Sequence, residues 1–311
     1  MTAYLALYRS GRLTERVKAA LALLENCHVC PHNCGINRLA GEKGKCRTGR
    51  LALVSSYGPH YGEETPLVGK RGSGTIFFTN CNLKCLFCQN YTISQLGDGS
   101  EVTKEQLATI MLSLQARGCH NINFVSPTHV VPQILEALEI ATKLGLKLPL
   151  VYNSGGYDSV ETLKILNGIM DIYMPDMKYS DEKIAQELSG IEHYPSINQA
   201  ALKEMHRQVG DLQIDENGVA TRGLLIRHLV LPHGLAGTKG IVKFIAQDIS
   251  QNSYVNIMAQ YHPCYKAFQI PQLARPLSKQ EFLDAVELAQ AAGLHRLDRF
   301  HPATARAVFK L

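Results

Sequence analysis

The chain has 311 residues, 45% of them hydrophobic, which suffices for one large α/β domain with an appendage or for two small domains. Its net charge of +5 is mild, and 32 lysines and arginines are scattered among 27 acids, so no nucleic-acid partner is expected. The opening stretch interrupts its apolar positions with Arg9, Arg12, Glu15, Arg16 and Lys18, unlike a signal peptide, and nothing later reaches membrane-spanning length; a cytoplasmic protein without a membrane partner is expected.

In such a compartment nine cysteines read as metal ligands and free thiols, not disulfides. Helices are predicted over Thr2–Tyr8 and Thr14–Glu25, with Gly11 between them. Cys27, Cys30, Cys34 and Cys46 follow in a C-x2-C-x3-C-x11-C pattern, with Gly41 and Gly44 allowing the backbone to curl round a metal. Zinc and a second iron-sulfur cluster both fit this closed site, as does a reduced cysteine-rich loop. A short strand near Leu51–Ser55 and a Gly/Pro-bearing stretch lead into the main domain, giving an amino-terminal metal-binding segment over 1–68 and the main domain over 69–311.

Strand-like runs at 74–79, 121–125, 148–152, 171–176, 224–231 and 255–260 alternate with helical segments, which predicts βα units on a parallel sheet. Thr103-Lys104-Glu105-Gln106, Asp158-Ser159-Val160-Glu161 and Ser278-Lys279-Gln280-Glu281 read as capping boxes, Pro132 opens a helix that Gly145 closes, and Asn217-Gly218 reads as a hairpin turn after a helix over 196–209. Six strands fall short of a full eight-fold barrel, so the expected fold is α/β, a partial (β/α)6 barrel with an amino-terminal cysteine-rich appendage; a doubly wound sheet is the alternative.

Ligand sites in such folds lie beyond the carboxyl ends of the strands. After the first strand come Cys81, Cys85 and Cys88; after the second, Ser126-Pro127-Thr128-His129; after the third, Asn153-Ser154-Gly155-Gly156; after the fourth, Asp176 and Lys178; after the fifth, His233; after the sixth, His262. Three thiolates can grip a soft metal centre from one side and leave one coordination position for a substrate, unless Cys119, His120 or Cys264 closes the shell. Asp176 and Lys178, two apart, share a strand face suited to a zwitterionic ligand or to a simple rim ion pair. His129 is weighed as a structural histidine and His262 as an even case; His301, near the tail, supports no role.

Cys81-x3-Cys85-x2-Cys88, with Phe87 before the last cysteine, resembles the radical S-adenosylmethionine (SAM) superfamily, and Cys81–Asn90, Asp176-Met177-Lys178, Leu229-Val230-Leu231-Pro232 and Tyr261-His262 resemble its pyruvate formate-lyase activating enzyme group. The amino-terminal four-cysteine segment is similar to that of a poorly characterised branch related to those activating enzymes. The resemblance implies a [4Fe-4S] cluster on Cys81, Cys85 and Cys88, and SAM chelating the fourth iron. It implies Asp176, Lys178 and His262 round the methionyl end and the radical site. The Asn153–Gly156 turn reads from its residues either as a cofactor contact through Asn153 and Ser154 or as plain turn chemistry. Ser126-Pro127-Thr128-His129 stands where relatives carry Gly-Gly-Glu, so Ser126 and Thr128 are the expected replacement donors. The implied reaction is reductive SAM cleavage followed by hydrogen abstraction from a protein or peptide substrate, including a glycyl-radical-enzyme activase role, with a flavodoxin- or ferredoxin-type reductant. Competing readings are a small-molecule substrate, a zinc-stabilised scaffold or binding protein, and a two-cluster electron-transfer protein.

Overall fold

The computed structural model describes residues 2–298; His301 lies outside them. In chain order the strands are β1 (Ala52–His60), β2 (Ser73–Phe78), β3 (Ser100–Val102), β4 (Ile122–Val125), β5 (Leu150–Ser154), β6 (Ile172–Pro175), β7 (Gln213–Ile214), β8 (Ala220–Leu229), β9 (Tyr254–Met258) and β10 (Arg296–Leu297). They form one sheet in the order β10-β9-β8-β6-β5-β4-β2-β1-β3, with β7 on β8. The six runs anticipated from the sequence are β2, β4, β5, β6, β8 and β9, and every neighbouring pair among them is parallel.

Helices α1 (Ala3–Arg9), α2 (Arg12–Ala22), α3 (Thr65–Val68), α4 (Lys104–Ala116), α5 (Val131–Lys143), α6 (Val160–Ile165), α7 (Glu182–Ser189), α8 (Tyr194–Val209), α9 (Thr238–Phe244) and α10 (Lys279–Ala291) connect and cover the strands. Two capping boxes form as read: Thr103 with Gln106 at α4, and Ser278 with Glu281 at α10. The third does not. Ser159 caps α6 with no side-chain bond, because both oxygens of the preceding Asp158 accept from Thr128, Tyr152 and Ser154 instead. Tertiary partners there outcompete a local cap.

Side chains alternate between the two sheet faces. Tyr152, Tyr173, Phe124, Ile226 and Val255 join the large core shared with the helices, whereas Val151, Ile172, Met174 and Leu225 form a second apolar cluster with Leu67 of α3. The second cluster is the inside of a curled sheet. Asn121 Nδ2, at the foot of β4, donates to Leu67 O (3.0 Å), while Asn256 Nδ2 of β9 donates to Glu64 Oε1 (3.1 Å) just before α3. One short helix can touch strands so distant in the sheet order only if the sheet bends round it, as in a partial (β/α)6 barrel. The expected boundary between residues 68 and 69 falls between β1 and β2, which pair edge to edge, and α1 and α2 contribute Tyr4, Leu13 and Val17 to the large core.

Candidate active site at the strand ends

The cysteine loop leaves β2 through Asn80, whose positive φ of 69° is a conformation that asparagine tolerates and most residues do not. The Lys84 and Leu86 N–H groups donate to Ser189 O (3.0 Å) and Leu188 O (2.9 Å) at the end of α7, and Lys266 N–H donates to Leu86 O (2.8 Å). Phe87 is buried edge-on between Tyr179 and Tyr261. The loop is thus held by its backbone, leaving the thiols to a ligand. Each sulfur has a hydrogen-bonding neighbour: Leu83 N–H donates to Cys81 Sγ (3.4 Å), Ser189 Oγ donates to Cys85 Sγ (3.0 Å), and Ser94 Oγ lies 3.1 Å from Cys88 Sγ.

Burial pushes the Cys81 thiol up to about 12, with Cys85 and Cys88 reinforcing the shift and Lys178 opposing it. Crowded, desolvated thiols of this kind release their protons readily only to a metal. Among the described residues no three His, Cys, Asp or Glu side chains converge as ligands of one metal ion. A four-iron cluster presents its irons at separate corners, so the thiolates that hold it stand further apart than ligands of a single ion. The thiol set and its sulfur-directed donors fit such a cluster.

Beside the thiols lies a charged chain that sequence reasoning only half anticipated. Lys178 Nζ pairs with Asp176 Oδ2 at 2.6 Å, and Arg227 Nε donates to Asp176 Oδ1 at 2.8 Å. Arg227 also reaches Asn153 Oδ1 (2.7 Å) and, more distantly, Glu64 Oε1 (3.7 Å). Strand alternation puts Asn153, Asp176 and Arg227 on the barrel's inner face, where Asp176 bridges to Arg227 across β6 and β8 and Asn153 pairs with Met174, two residues before Asp176. Burial works against Asp176's charge, but Arg227 and Lys178 hold its carboxyl below the usual range. Burial likewise opposes the Lys178 ammonium, and Asp176 and Cys85 more than offset it. Arg227 escaped the sequence reading because it sits inside a hydrophobic run, Leu224-Leu225-Ile226-Arg227-His228-Leu229. Its signal was the odd charge in a buried strand.

The turn after β5 is tightly constrained. A Cβ on Gly155 would sit 2.5 Å from Leu83 Cδ1, and one on Gly156 (φ +74°) would sit 2.1 Å from Asp176 O. Tyr194 Oη donates to Gly155 O (2.9 Å) and accepts from Lys178 N–H (3.0 Å), locking that turn to the Asp176–Lys178 segment.

Ser154 and Thr128 do not face the mouth: both are buried on the helix side, where their hydroxyls donate to Asp158 at 2.6 Å. They differ from Asn153 because adjacent strand residues point to opposite faces. Ser126 is half-buried, with φ +59°, and its N–H donates to Asn153 O (2.9 Å), so its backbone borders the inner face. His262 is exposed and joins the site only through Gln89, whose Nε2 lies 3.2 Å from His262 Nδ1 and donates to Gln260 O at 2.8 Å. His129 is fully buried against Thr79 O (3.1 Å), and burial, aided by Arg38, lowers its pKa to about 3, so it is a neutral core residue. Cys119 and His120 precede β4, at the sheet end opposite the cysteine loop.

The amino-terminal cysteine segment packs directly on that loop. His32 Nε2 bonds Asn82 O (2.7 Å), Asn82 Nδ2 donates to Tyr157 O (2.8 Å), and Asn80 Nδ2 reaches Thr48 Oγ1 (3.4 Å). Burial raises the Cys30 thiol, and Cys46, Cys27 and Cys34 add to the effect as neighbours. Gly44 passes so close to Cys34 that a Cβ there would lie 2.7 Å from its sulfur.

Residues 75–228 match the family model of the radical SAM superfamily. The chain is 34% identical over 292 residues to an uncharacterized protein of Methanocaldococcus jannaschii, spanning 91% of this chain and 79% of that one. A second uncharacterized protein of that organism is 23% identical, over 86% of this chain and 81% of its own. The fold is similar to that of a radical SAM methyltransferase from Sphaerobacter thermophilus (TM-score 0.50, 13% identity, 73% and 67% of the two chains). It is also similar to HydG, a maturase of the [FeFe]-hydrogenase (TM-score 0.50, 12% identity, 75% and 53% of the two chains). With the three-cysteine loop at the mouth of a partial barrel, these matches show that the chain belongs to the radical SAM superfamily, membership of which implies a [4Fe-4S] cluster and SAM.

Proposed function

We propose that this enzyme cleaves SAM reductively at a cluster held by Cys81, Cys85 and Cys88, and abstracts a hydrogen atom from a protein or peptide substrate. Bound there, the reduced cluster would supply the electron that cleaves SAM, and SAM the hydrogen-abstracting radical. The observation that carries the reading is the buried Lys178–Asp176–Arg227 chain, whose Lys178 lies close enough to Cys85 and Cys81 to act on their charge. The Lys178 ammonium would hold a carboxylate of the cofactor, and Asp176 its amino or hydroxyl groups, while Arg227 fixes Asp176 in orientation. Asn153, from the inner face, and the backbone at Ser126 would complete the contacts. His262 is assigned to the rim, where Gln89 ties it to the cysteine loop.

A peptide side chain as substrate fits the cavity of about 690 Å³ lined by Arg227, with Tyr61 exposed at its edge. Activation of a glycyl-radical enzyme is one form this reaction would take. A flavodoxin- or ferredoxin-type reductant is proposed on superfamily membership alone. A metal at Cys27, Cys30, Cys34 and Cys46 is proposed on their mutual crowding; as no three of them converge on one ion, a second cluster is favoured over zinc, and iron and zinc content per chain tests this. Anaerobically reconstituted protein given dithionite and SAM is expected to form 5′-deoxyadenosine, and Cys85→Ala to form none. Undiminished product from that variant would refute the reading.

A further inference from the structure

A cavity of about 690 Å³ opens between α3, the β7–β8 hairpin and β9, a size suited to a small ligand or a peptide side chain. Its polar lining includes Glu63, Glu64, Arg227, Asn256, Gln260 and Asp298, three carboxyl groups against one guanidinium. The guanidinium is largely spent elsewhere: its closest partners are Asp176 at 2.8 Å and Asn153 at 2.7 Å, with Glu64 only at 3.7 Å. Asp298 accepts from Tyr254 Oη (2.6 Å), and Glu63 pairs with His60 (3.2 Å). Glu64 stands apart. It is 6% exposed; its Oε1 accepts from Asn256 Nδ2 at 3.1 Å, and its Oε2 is buried with no hydrogen-bond partner.

Glu64 lines the cavity, and a buried carboxylate oxygen without a partner is costly unless a donor reaches it. Burial raises the Glu64 pKa, Arg227 opposes the rise and Glu63 adds to it, so the carboxyl lacks enough positive charge around it. A neutral ligand would not supply that charge. The cavity also belongs to the reaction chamber and not to a remote surface. Arg227 joins it to Asp176, and Gln260, on its rim, accepts from Gln89 immediately after Cys88.

We propose that this cavity binds the alkylammonium group of the substrate, with Glu64 Oε2 as the anchoring acceptor and Asn256 holding the other carboxylate oxygen in place. The alkyl stem would lie against Val68, Ile257 and Met258, which also line the cavity. The inference rests on the reading of the barrel mouth as the SAM-cleaving centre. The cation could be a lysine side chain of a peptide or a free amine, since both present the same group.

Calorimetric titration of the full-length, cluster-reconstituted protein without reductant tests this, because binding is then read apart from SAM cleavage. The probes are Nα-acetyl-lysine amide, cadaverine and, as the neutral counterpart, Nα-acetyl-norleucine amide. At least one amine is expected to bind, with norleucine amide weaker by about tenfold or more, and Glu64→Gln is expected to weaken the amine by about tenfold while Glu64→Asp retains part of the affinity. Binding of lysine amide assigns a peptide side chain, and binding of cadaverine alone assigns a free amine; either supports the proposal. Equal binding of norleucine amide, no binding of either amine, or full affinity in Glu64→Gln overturns it. Should Glu64→Gln fail to fold, the lysine-against-norleucine comparison on the unaltered protein still decides. Absence of 5′-deoxyadenosine in a separate reduced sample would refute the catalytic reading without touching the binding result.

Discussion

Arg227→Met tests the charged chain at its centre. The guanidinium side chain is 18% exposed and bonds Asp176 and Asn153 at 2.8 and 2.7 Å, with Glu64 at 3.7 Å. Removing one member of a buried ionic group costs about 3–5 kcal/mol because the remaining charges are left desolvated. Lys178 stays 2.6 Å from Asp176, so part of that charge remains covered and the lower end, about 3 kcal/mol, is expected. In a chain of this size that lowers Tm by about 4–5 °C. Metal-free protein followed by calorimetry under reducing conditions provides the assay, with Glu64→Gln and the double variant completing a cycle. Since either single variant breaks the Glu64–Arg227 contact, the double variant should be less destabilised than the sum, by about 1 kcal/mol. The pH dependence has a definite sign. A carboxyl depressed in the folded state contributes stability that is present above its unfolded pKa, about 3.9, and lost as pH falls below it. Without Arg227 the Asp176 pKa moves up toward that value, so this carboxyl's share of the acid destabilisation should shrink. A Tm within about 1 °C of the unaltered protein, or strictly additive effects, would refute the argument.

Gly156→Ala should destabilise the site by about 2 kcal/mol or more, because φ +74° is strained for alanine and its Cβ would collide with Asp176 O; normal Tm with normal SAM affinity would count against this. Asp171, buried beneath β6, accepts from Leu150 and Ala3 N–H groups, yet burial raises its pKa to about 6. A carboxyl raised on folding makes stability fall as pH rises, here between about 4 and 6, and Asp171→Asn should flatten that slope in urea titrations. Ser189→Ala removes the hydroxyl donated to Cys85 sulfur and should make the reconstituted cluster harder to reduce. A tenfold loss of preference for the reduced form corresponds to about 60 mV, readable by potentiometric EPR, and an unchanged potential would exclude the bond as a tuning element.

The sequence by itself determined the chemistry and the repeat. Cys81, Cys85 and Cys88 are close along the chain, so their joint role is legible without a fold, and six alternating hydrophobic runs impose a parallel α/β sheet because each must bury both faces. Local rules also sufficed where nothing competed, as at the capping boxes of α4 and α10. Only the tertiary structure decided which polar residues share a space. Asp176 and Arg227 are 51 positions apart and meet through strand register, and Ser154 turns from the mouth although Asn153 beside it turns inward. Neither the register of β6 against β8 nor the competition of three hydroxyls for Asp158 is encoded in any short window. The same holds for Glu64, an unremarked acid before a proline-bearing helix. Its unpartnered oxygen acquires meaning only once the sheet curls β9 and Arg227 round it.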